Sequence, residues 1–567
     1  MSNQADVAEA ERLKTLGNEL YQQGEYDAAR HRYTEAIKKN PKNPVLYANR
    51  GAVYLATKEY IEAAHDCKKA VDLDPTYAKA WGRLGKATHG LSDWARCVEA
   101  WQKALDCLPK ENLTATERIL KVQFTEGLNN ALGARRRIET SIVSLDRSSR
   151  NTPWHRAESL TQARQAARKP SCVFVIKFAY DALKEGLKKM DAMKVVKDAR
   201  GREMTHGEKA LQDLTNCIMA DDRIFHLPDP NSFLEKIQKQ SMLEAESNRA
   251  FLNDGGLAAI KEQILKRLKS ESWNTVRPSI ATTIRIWIWE GFFRYRMFGH
   301  FGFAFEMYTK TIDLLEWGRK QWPKVPDSDR GVVFKLTFIR GVKRLHLDLM
   351  HASVASKRKD TPYTFSDLAA TATELLEDVN SAPPPAGEMY VGDMLAFWDY
   401  VKGDALSILG WCNLEQGLFA EYIDGDKDKS LGLIQAAGEY YLAAAECYPE
   451  DEPHHSTFLR KYLECLCYSE KPLRLTLPVC ERIRTVIPQA LEVYAAPPFN
   501  EQLKKEMLEV SEFESRCKEG VMEGRLTLDS VEKIVIPKVG KNKTEKDNLP
   551  FKVVYPGDEG YEQAVEA

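Results

Sequence analysis

Small and bulky apolar positions recur between residues 10 and 111 in one register, and that register repeats every 34 residues. Glycines stand at Gly17, Gly51 and Gly85, and prolines at Pro41, Pro75 and Pro109. Between them fall small residues at Ala29, Ala63 and Cys97, bulkier ones at Tyr33, Cys67 and Trp101, and alanines at Ala36, Ala70 and Ala104. The spacing predicts three antiparallel helix pairs. A glycine marks where the first helix of each pair crosses the second, the small residues permit close approach, and the proline denies the second helix a backbone donor and ends it. A pair of this kind cannot bury its apolar face alone, so successive pairs stack into a curved array whose concave side is lined by the first helices. Repeat two opens with Asn43-Pro44, an N-cap residue followed by proline at the first helical position, where a missing donor costs nothing. One more amphipathic helix between Thr114 and Leu132 is expected to cover the last pair with Ile119, Leu120, Val122, Phe124 and Leu128. Residues 1–8 are polar and are expected to be disordered.

Beyond the array, residues 133–153, with Arg135-Arg136-Arg137 and Pro153, suit a linker. Apolar residues at three- and four-residue intervals predict helices through 154–275, including one that runs from Cys172 through Val173–Tyr180 into DALKEGLKKMDAMKVV. Aromatics crowd from Arg277 onward, and the stripe Trp287, Trp289, Phe292, Phe293, Tyr295 is expected to be core. After the break at Gly299 and Gly302, the positions Ala304, Tyr308 and Ile312 repeat the second-helix pattern, as do Ala437, Tyr441 and Ala444 before Pro449. Residues 276–497 thus predict a second, degenerate helical-repeat region, and 498–567 a last helix and an irregular tail in which EKIVIPK and PFKVVYP alternate like a short hairpin. The fold class expected is all-α.

The period of 34 with its small/large/small signature resembles the tetratricopeptide repeat. On the first helices of the three repeats stand Lys14 and Asn18, then Asn49, then Lys79 and Arg83. Lys14/Asn18 and Lys79/Arg83 are each four apart, so each pair shares one helical face. Three cations and two amides gathered in one groove suit a pair of carboxylates, because charge-assisted hydrogen bonds are about twice as strong as neutral ones. A chain that ends in Asp offers such a pair, its side chain and its free terminus. The set Lys14, Asn18, Asn49, Lys79, Arg83, in LKTLGNELY, YANRGAVY and AKAWGRLG, resembles the two-carboxylate clamp of co-chaperone tetratricopeptide domains, such as those of the stress-inducible chaperone-organising and small glutamine-rich proteins. What the resemblance implies is recognition of the C-terminal EEVD of the seventy- and ninety-kilodalton heat-shock chaperones. It covers residues 10–131, and no phosphatase, prolyl-isomerase or ubiquitin-ligase motif and no glutamine-rich tail follows it.

Composition changes the picture mainly by exclusion. The chain has 567 residues, 81 Lys and Arg against 82 Asp and Glu, and no stretch long and apolar enough to cross a bilayer, which argues against nucleic acid and against membrane insertion. With no apolar leader at the N-terminus, a cytoplasmic setting is expected. Eleven cysteines without a CxxC pair read as reduced and structural. The sequence lacks HExxH, GxxxxGK[ST] and GxSxG motifs, and no cofactor is expected. Asp424-Gly425-Asp426-Lys427-Asp428 imitates a calcium loop but carries Lys429 where glycine must turn and Gln435 where Glu must ligate. His454-His455 and the pair His346/His351 lack ligand partners at metal spacing. The leading expectation is a non-enzymatic adaptor that holds a chaperone tail at its N-terminus and a client or second partner on its helical remainder. Two alternatives stay open: a scaffold that binds internal peptides, and an enzyme with a cryptic site in 150–567.

Overall fold

A computed structural model describes residues 2–138, 151–197, 203–226, 230–252, 256–356, 361–384, 390–421, 425–497 and 500–532. The chain divides into two compact units, one of Met1–Ser144 with Ser241–Phe334, the other of Leu145–Gln240 with Lys335–Ala567. The stretch 276–497 is therefore shared between the two.

The first unit begins with α1 (Ser2–Gln22), α2 (Tyr26–Lys39), α3 (Pro44–Ala56), α4 (Tyr60–Leu73), α5 (Ala78–Gly90), α6 (Trp94–Asp106) and α7 (Ala115–Ile138). The pairs α1/α2, α3/α4 and α5/α6 are the three expected repeats, and the glycine in each has the steric reason anticipated. A Cβ on Gly17 would meet the Tyr33 ring at 2.8 Å, on Gly51 the Cys67 sulfur at 2.8 Å, and on Gly85 the Trp101 indole at 2.6 Å. Asn43 caps α3, its side chain accepting from the Val45 amide at 3.0 Å, with Pro44 following it. The last pair is covered by α7, as expected, with Phe124 buried and its ring 5.7 Å from that of Trp101.

Two expectations for this module need correction. Residues 2–8 continue α1, and Asp6 pairs with Lys39 at 2.9 Å, so the polar N-terminus is helical where disorder was expected. On α7 the inward stripe runs through Phe124 and Ala131, which are buried, and Leu120 and Leu128, which are half-buried. Ile119 and Val122 lie on the other side and are 60% and 58% exposed. The helix also continues past Leu132 to Ile138, six residues into the expected linker.

The same unit contains a hairpin of Trp273–Phe298 and Phe301–Gln321, turned at Gly299 with φ +65°. A Cβ on Gly291 would meet the Tyr308 ring at 3.0 Å, the crossing seen in the three repeats. Trp287, Trp289, Phe292 and Phe293 are buried, in keeping with a core role, whereas Tyr295, the last of the stripe, is half-buried.

In the second unit, Cys172–Asp191 is helical through Val173–Tyr180, as expected. The helix ends at Asp191, and Lys194–Lys197 pairs antiparallel with Glu203–His206. This two-stranded hairpin is a local exception within an otherwise all-α fold, as expected, and it takes up the β-branched pair Val195-Val196 where the sequence pattern predicts the end of the helix. Helices Tyr400–Phe419, Lys427–Ala445, Pro453–Tyr468, Leu473–Val493 and Glu501–Met522 pack in succession. A Cβ on Gly410 would meet the Tyr441 ring at 3.1 Å and one on Gly438 the Cys465 Cβ at 3.1 Å, so tetratricopeptide-like crossings recur here. A buried hub ties the unit together: Arg223 bonds Asp221 at 2.8 Å and Glu452 at 2.7 Å. The Arg223 guanidinium, with the hydrogen bond from His454, outweighs burial and holds the Glu452 carboxyl well below its ordinary range. The C-terminal hairpin expected around EKIVIPK and PFKVVYP lies outside the described residues.

Candidate functional site

The concave face of the N-terminal array is organised from α3 outward. Arg50 grips Asp66 of α4 with two bonds of 2.7 and 2.8 Å and reaches Thr34 of α2 at 3.1 Å, so one buried fork fixes the rotation of α3 between both second helices. Asn49, its neighbour, then meets the first helices of the other repeats. Its Nδ2 donates to Asn18 Oδ1 of α1 at 3.1 Å, and its Oδ1 accepts from Arg83 of α5 at 3.2 Å. Arg83 also donates to the Ala48 carbonyl at 2.7 Å. Tyr33 completes the row by donating to Asn18 Oδ1 at 2.7 Å. Burial pushes the Tyr33 hydroxyl up to about 12, which keeps it a donor at neutral pH.

Three of the five residues singled out in the sequence, Asn18, Asn49 and Arg83, are thus joined across α1, α3 and α5. The bonds engage both amide oxygens, that of Asn18 twice and that of Asn49 once. With its oxygen taken twice, Asn18 keeps its Nδ2 hydrogens for a ligand, and Arg83 keeps the donors of its second terminal nitrogen. Lys79, one turn before Arg83, is exposed and has no carboxylate partner among the described residues. Lys14, one turn before Asn18, is engaged locally with Glu11 in an i,i+3 ion pair. Glu11 is an exposed partner, its side chain 58% accessible against 21% for Lys14. Such surface pairs are worth only ~0.2–1 kcal/mol and yield readily to a better acceptor.

Next to Arg83 the groove widens into a pocket of about 510 Å³, lined by Tyr21, Leu55, Ala56, Tyr60, Lys86 and His89 among others. Lys86 follows Arg83 by three positions on α5, so the basic face continues past the five-residue set. The sequence reading missed two contributors, the Tyr33 hydroxyl and the Ala48 carbonyl. Tyr33 was visible only as the bulky member of a packing register, and a backbone acceptor leaves no trace in residue type.

Residues 17–58 match the family model described as TPR repeat. The N-terminal module is a tetratricopeptide-repeat (TPR) domain. It is 40% identical over 99 residues to the small glutamine-rich tetratricopeptide repeat-containing protein 2 of Saccharomyces cerevisiae, a match covering 18% of this chain and 29% of that protein. To the protein of the same name from Mycosarcoma maydis it is 34% identical over 135 residues, covering 23% and 38%. Among solved structures, the chain is similar to the first TPR of Spaghetti (RPAP3) bound to the HSP90 peptide SRMEEVD, with 30% identity, 23% of this chain and 94% of that one covered, and a TM-score of 0.20. The chain thus spans well under half the length of the curated relatives it matches. Outside the TPR domain, the described residues hold no group of His, Cys, Asp and Glu arranged for a metal ion and no helix long and apolar enough to cross a membrane. Asp426, from the calcium-loop imitation, caps Lys427–Ala445 through the Lys429 amide at 3.0 Å. His454 pairs with Glu452 at 3.1 Å, and His346 meets the Tyr363 hydroxyl at 3.1 Å.

Proposed function

We propose that the TPR domain holds the C-terminal tail of a heat-shock chaperone, with Lys14, Asn18, Asn49, Lys79 and Arg83 as donors to its terminal carboxylate and its last Asp side chain. The observation that carries this reading is the hydrogen-bonded row Arg83–Asn49–Asn18, which satisfies both amide oxygens and leaves N–H groups for a doubly anionic ligand. The relatives support it by name: beside the small glutamine-rich proteins stands the Hsp70-Hsp90 organizing protein 2 of Arabidopsis thaliana, 38% identical over 102 residues. On this reading the chain is a cytoplasmic, non-enzymatic adaptor, and the helical region beyond the TPR domain engages a client. Lys14 exchanges Glu11 for the tail when the ligand enters.

A single tail is expected to bind with a dissociation constant on the order of micromolar, ~8 kcal/mol, since a disordered peptide loses chain entropy on docking and offers few buried anchors. The test is calorimetric titration of the full chain with SRMEEVD carrying a free C-terminus and with the same peptide amidated. The amide should bind at least about tenfold more weakly, the cost of a lost charge-assisted bond. Equal binding of the two would mean that the groove reads an internal stretch of peptide and not a chain end.

A further inference from the structure

The pocket beside Arg83 is bounded by Tyr60 at the start of α4 and Gly90 at the end of α5. One residue beyond each, the backbone is held by the hairpin Trp273–Phe298/Phe301–Gln321. The Ile61 amide donates to the Glu306 carboxyl at 3.1 Å, and the Leu91 carbonyl accepts from the Phe303 amide at 3.2 Å. Both are end groups that a helix cannot satisfy internally. Ile61 lies in the first turn of α4, whose own N-cap Glu59 makes no capping bond, and Leu91 caps the end of α5. The Phe303 amide is likewise an orphan of the first turn of its helix, so α5 and Phe301–Gln321 satisfy each other end to end.

The contact is close and specific. A Cβ on Gly302 would lie 1.7 Å from the Gly90 carbonyl oxygen, a backbone atom that can yield only if α5 moves. The Gly302 amide also reaches the Ser92 hydroxyl at 3.3 Å. Lys310, buried, bonds Glu62 of α4 and Glu306 at 2.7 Å each, anchoring the same helix one turn further on. The hairpin therefore grips the two chain segments whose preceding residues form the pocket wall.

We propose that Gly302 and Glu306 are positioning residues for the tail-binding groove: the docked hairpin sets the spacing of Tyr60 and Gly90, and with it the fit of tail residues upstream of the terminal carboxylates. This rests on the tail-binding reading given above. The two terminal carboxylates are read by α1, α3 and the first half of α5, whereas the hairpin's bonds described above fall on α4 and on the far end of α5. A disturbance at Gly302 thus falls first on the far pocket, about two turns of α5 away from Arg83, and most weakly on the clamp. By reciprocity, a tail that fills the pocket strengthens hairpin docking.

The full-length chain and its Gly302→Ala variant are titrated with SGPTIEEVD and with bare EEVD. Gly302→Ala is expected to weaken the long peptide by about fivefold or more while leaving EEVD unchanged. Glu306→Ala, which removes the acceptor from Ile61 without adding bulk, should give the same split if Gly302→Ala does not fold. In the unaltered chain, hydrogen exchange at the Ile61 amide should slow further with SGPTIEEVD than with EEVD at equal saturation. Equal losses for both peptides, or no loss for either, would overturn the inference while the tail-binding reading stands. Failure of the unaltered chain to bind either peptide overturns that reading and this inference with it.

Discussion

Asn49 donates to Asn18 across 3.1 Å, tying the first helix of repeat two to that of repeat one and fixing which end of each amide faces outward. Neither amide could be ordered this way by its own helix, since the partners are 31 residues apart. The buried fork of Arg50 on Asp66 and the hydroxyl of Tyr33 hold this arrangement from behind. Much of the predicted behaviour of the groove depends on these supports.

Removing the Tyr33 hydroxyl takes away the donor to Asn18 while leaving the ring that packs against Gly17. Tyr33→Phe should cost about 1 kcal/mol of tail affinity, the net worth of one neutral hydrogen bond, because Asn18 loses its fixed orientation. Thermal melting should change little. Titration of SRMEEVD against both proteins, with a melt of each as control, checks this.

Arg50→Ala leaves Asp66 buried and without its bidentate partner. A loss of ~3–5 kcal/mol in stability is expected, as for other broken buried pairs. Replacing both residues together with apolar ones of similar volume should recover most of it. Denaturant unfolding of the three proteins measures the difference.

Lys14 is held by an exposed carboxylate that the ligand must displace. Glu11→Gln should therefore tighten tail binding, by ~0.2–1 kcal/mol, the range of a surface ion pair. The gain should shrink at high salt, which screens the Lys14–Glu11 pair and the Lys14–tail contact alike. Comparing both proteins at low and high ionic strength tests the sign.

The positions that were legible in the sequence are those whose spacing is set by steric contact. Gly17 with Tyr33, Gly51 with Cys67 and Gly85 with Trp101 each fall sixteen residues apart, because a tight turn leaves the crossing no freedom. In the later hairpins the same contact exists at other separations: Gly291 meets Tyr308 seventeen residues on, and Gly410 meets Tyr441 thirty-one residues on. Longer helices and loops moved the glycine out of register, so only the second-helix half of the signature could be read. Asn18, Asn49 and Arg83, which the structure joins, could be picked out by type and spacing, whereas their supports could not. Ile119 and Val122 misled for a different reason: an apolar side chain declares no direction, and α7 turned Leu120 and Phe124 inward instead.

Acidity should act on the hairpin contact through Glu306. Burial, added to by the Glu62 carboxylate, pushes Glu306 up to about 8 despite the Lys310 ammonium. The folded state therefore keeps a proton that the unfolded chain releases at the ordinary carboxylate value of 4.5. Its stabilising contribution is complete below that value and is lost as pH rises through about 8. Melting temperature measured across this window should fall more steeply for the unaltered chain than for Glu306→Gln. The difference between the two profiles separates Glu306 from His300, whose burial pushes its pKa down.

On the proposed function, donors from α1, α3 and α5 converge on the end of another chain. The most direct test of this convergence is titration of SRMEEVD against the full-length protein and its Lys79→Ala/Arg83→Ala double variant. Each lost charge-assisted bond is expected to cost ~1.5–3 kcal/mol, so the double variant should bind at least about a hundredfold more weakly, with titration below the melting transition of both proteins. Indistinguishable affinities for the two proteins would contradict it.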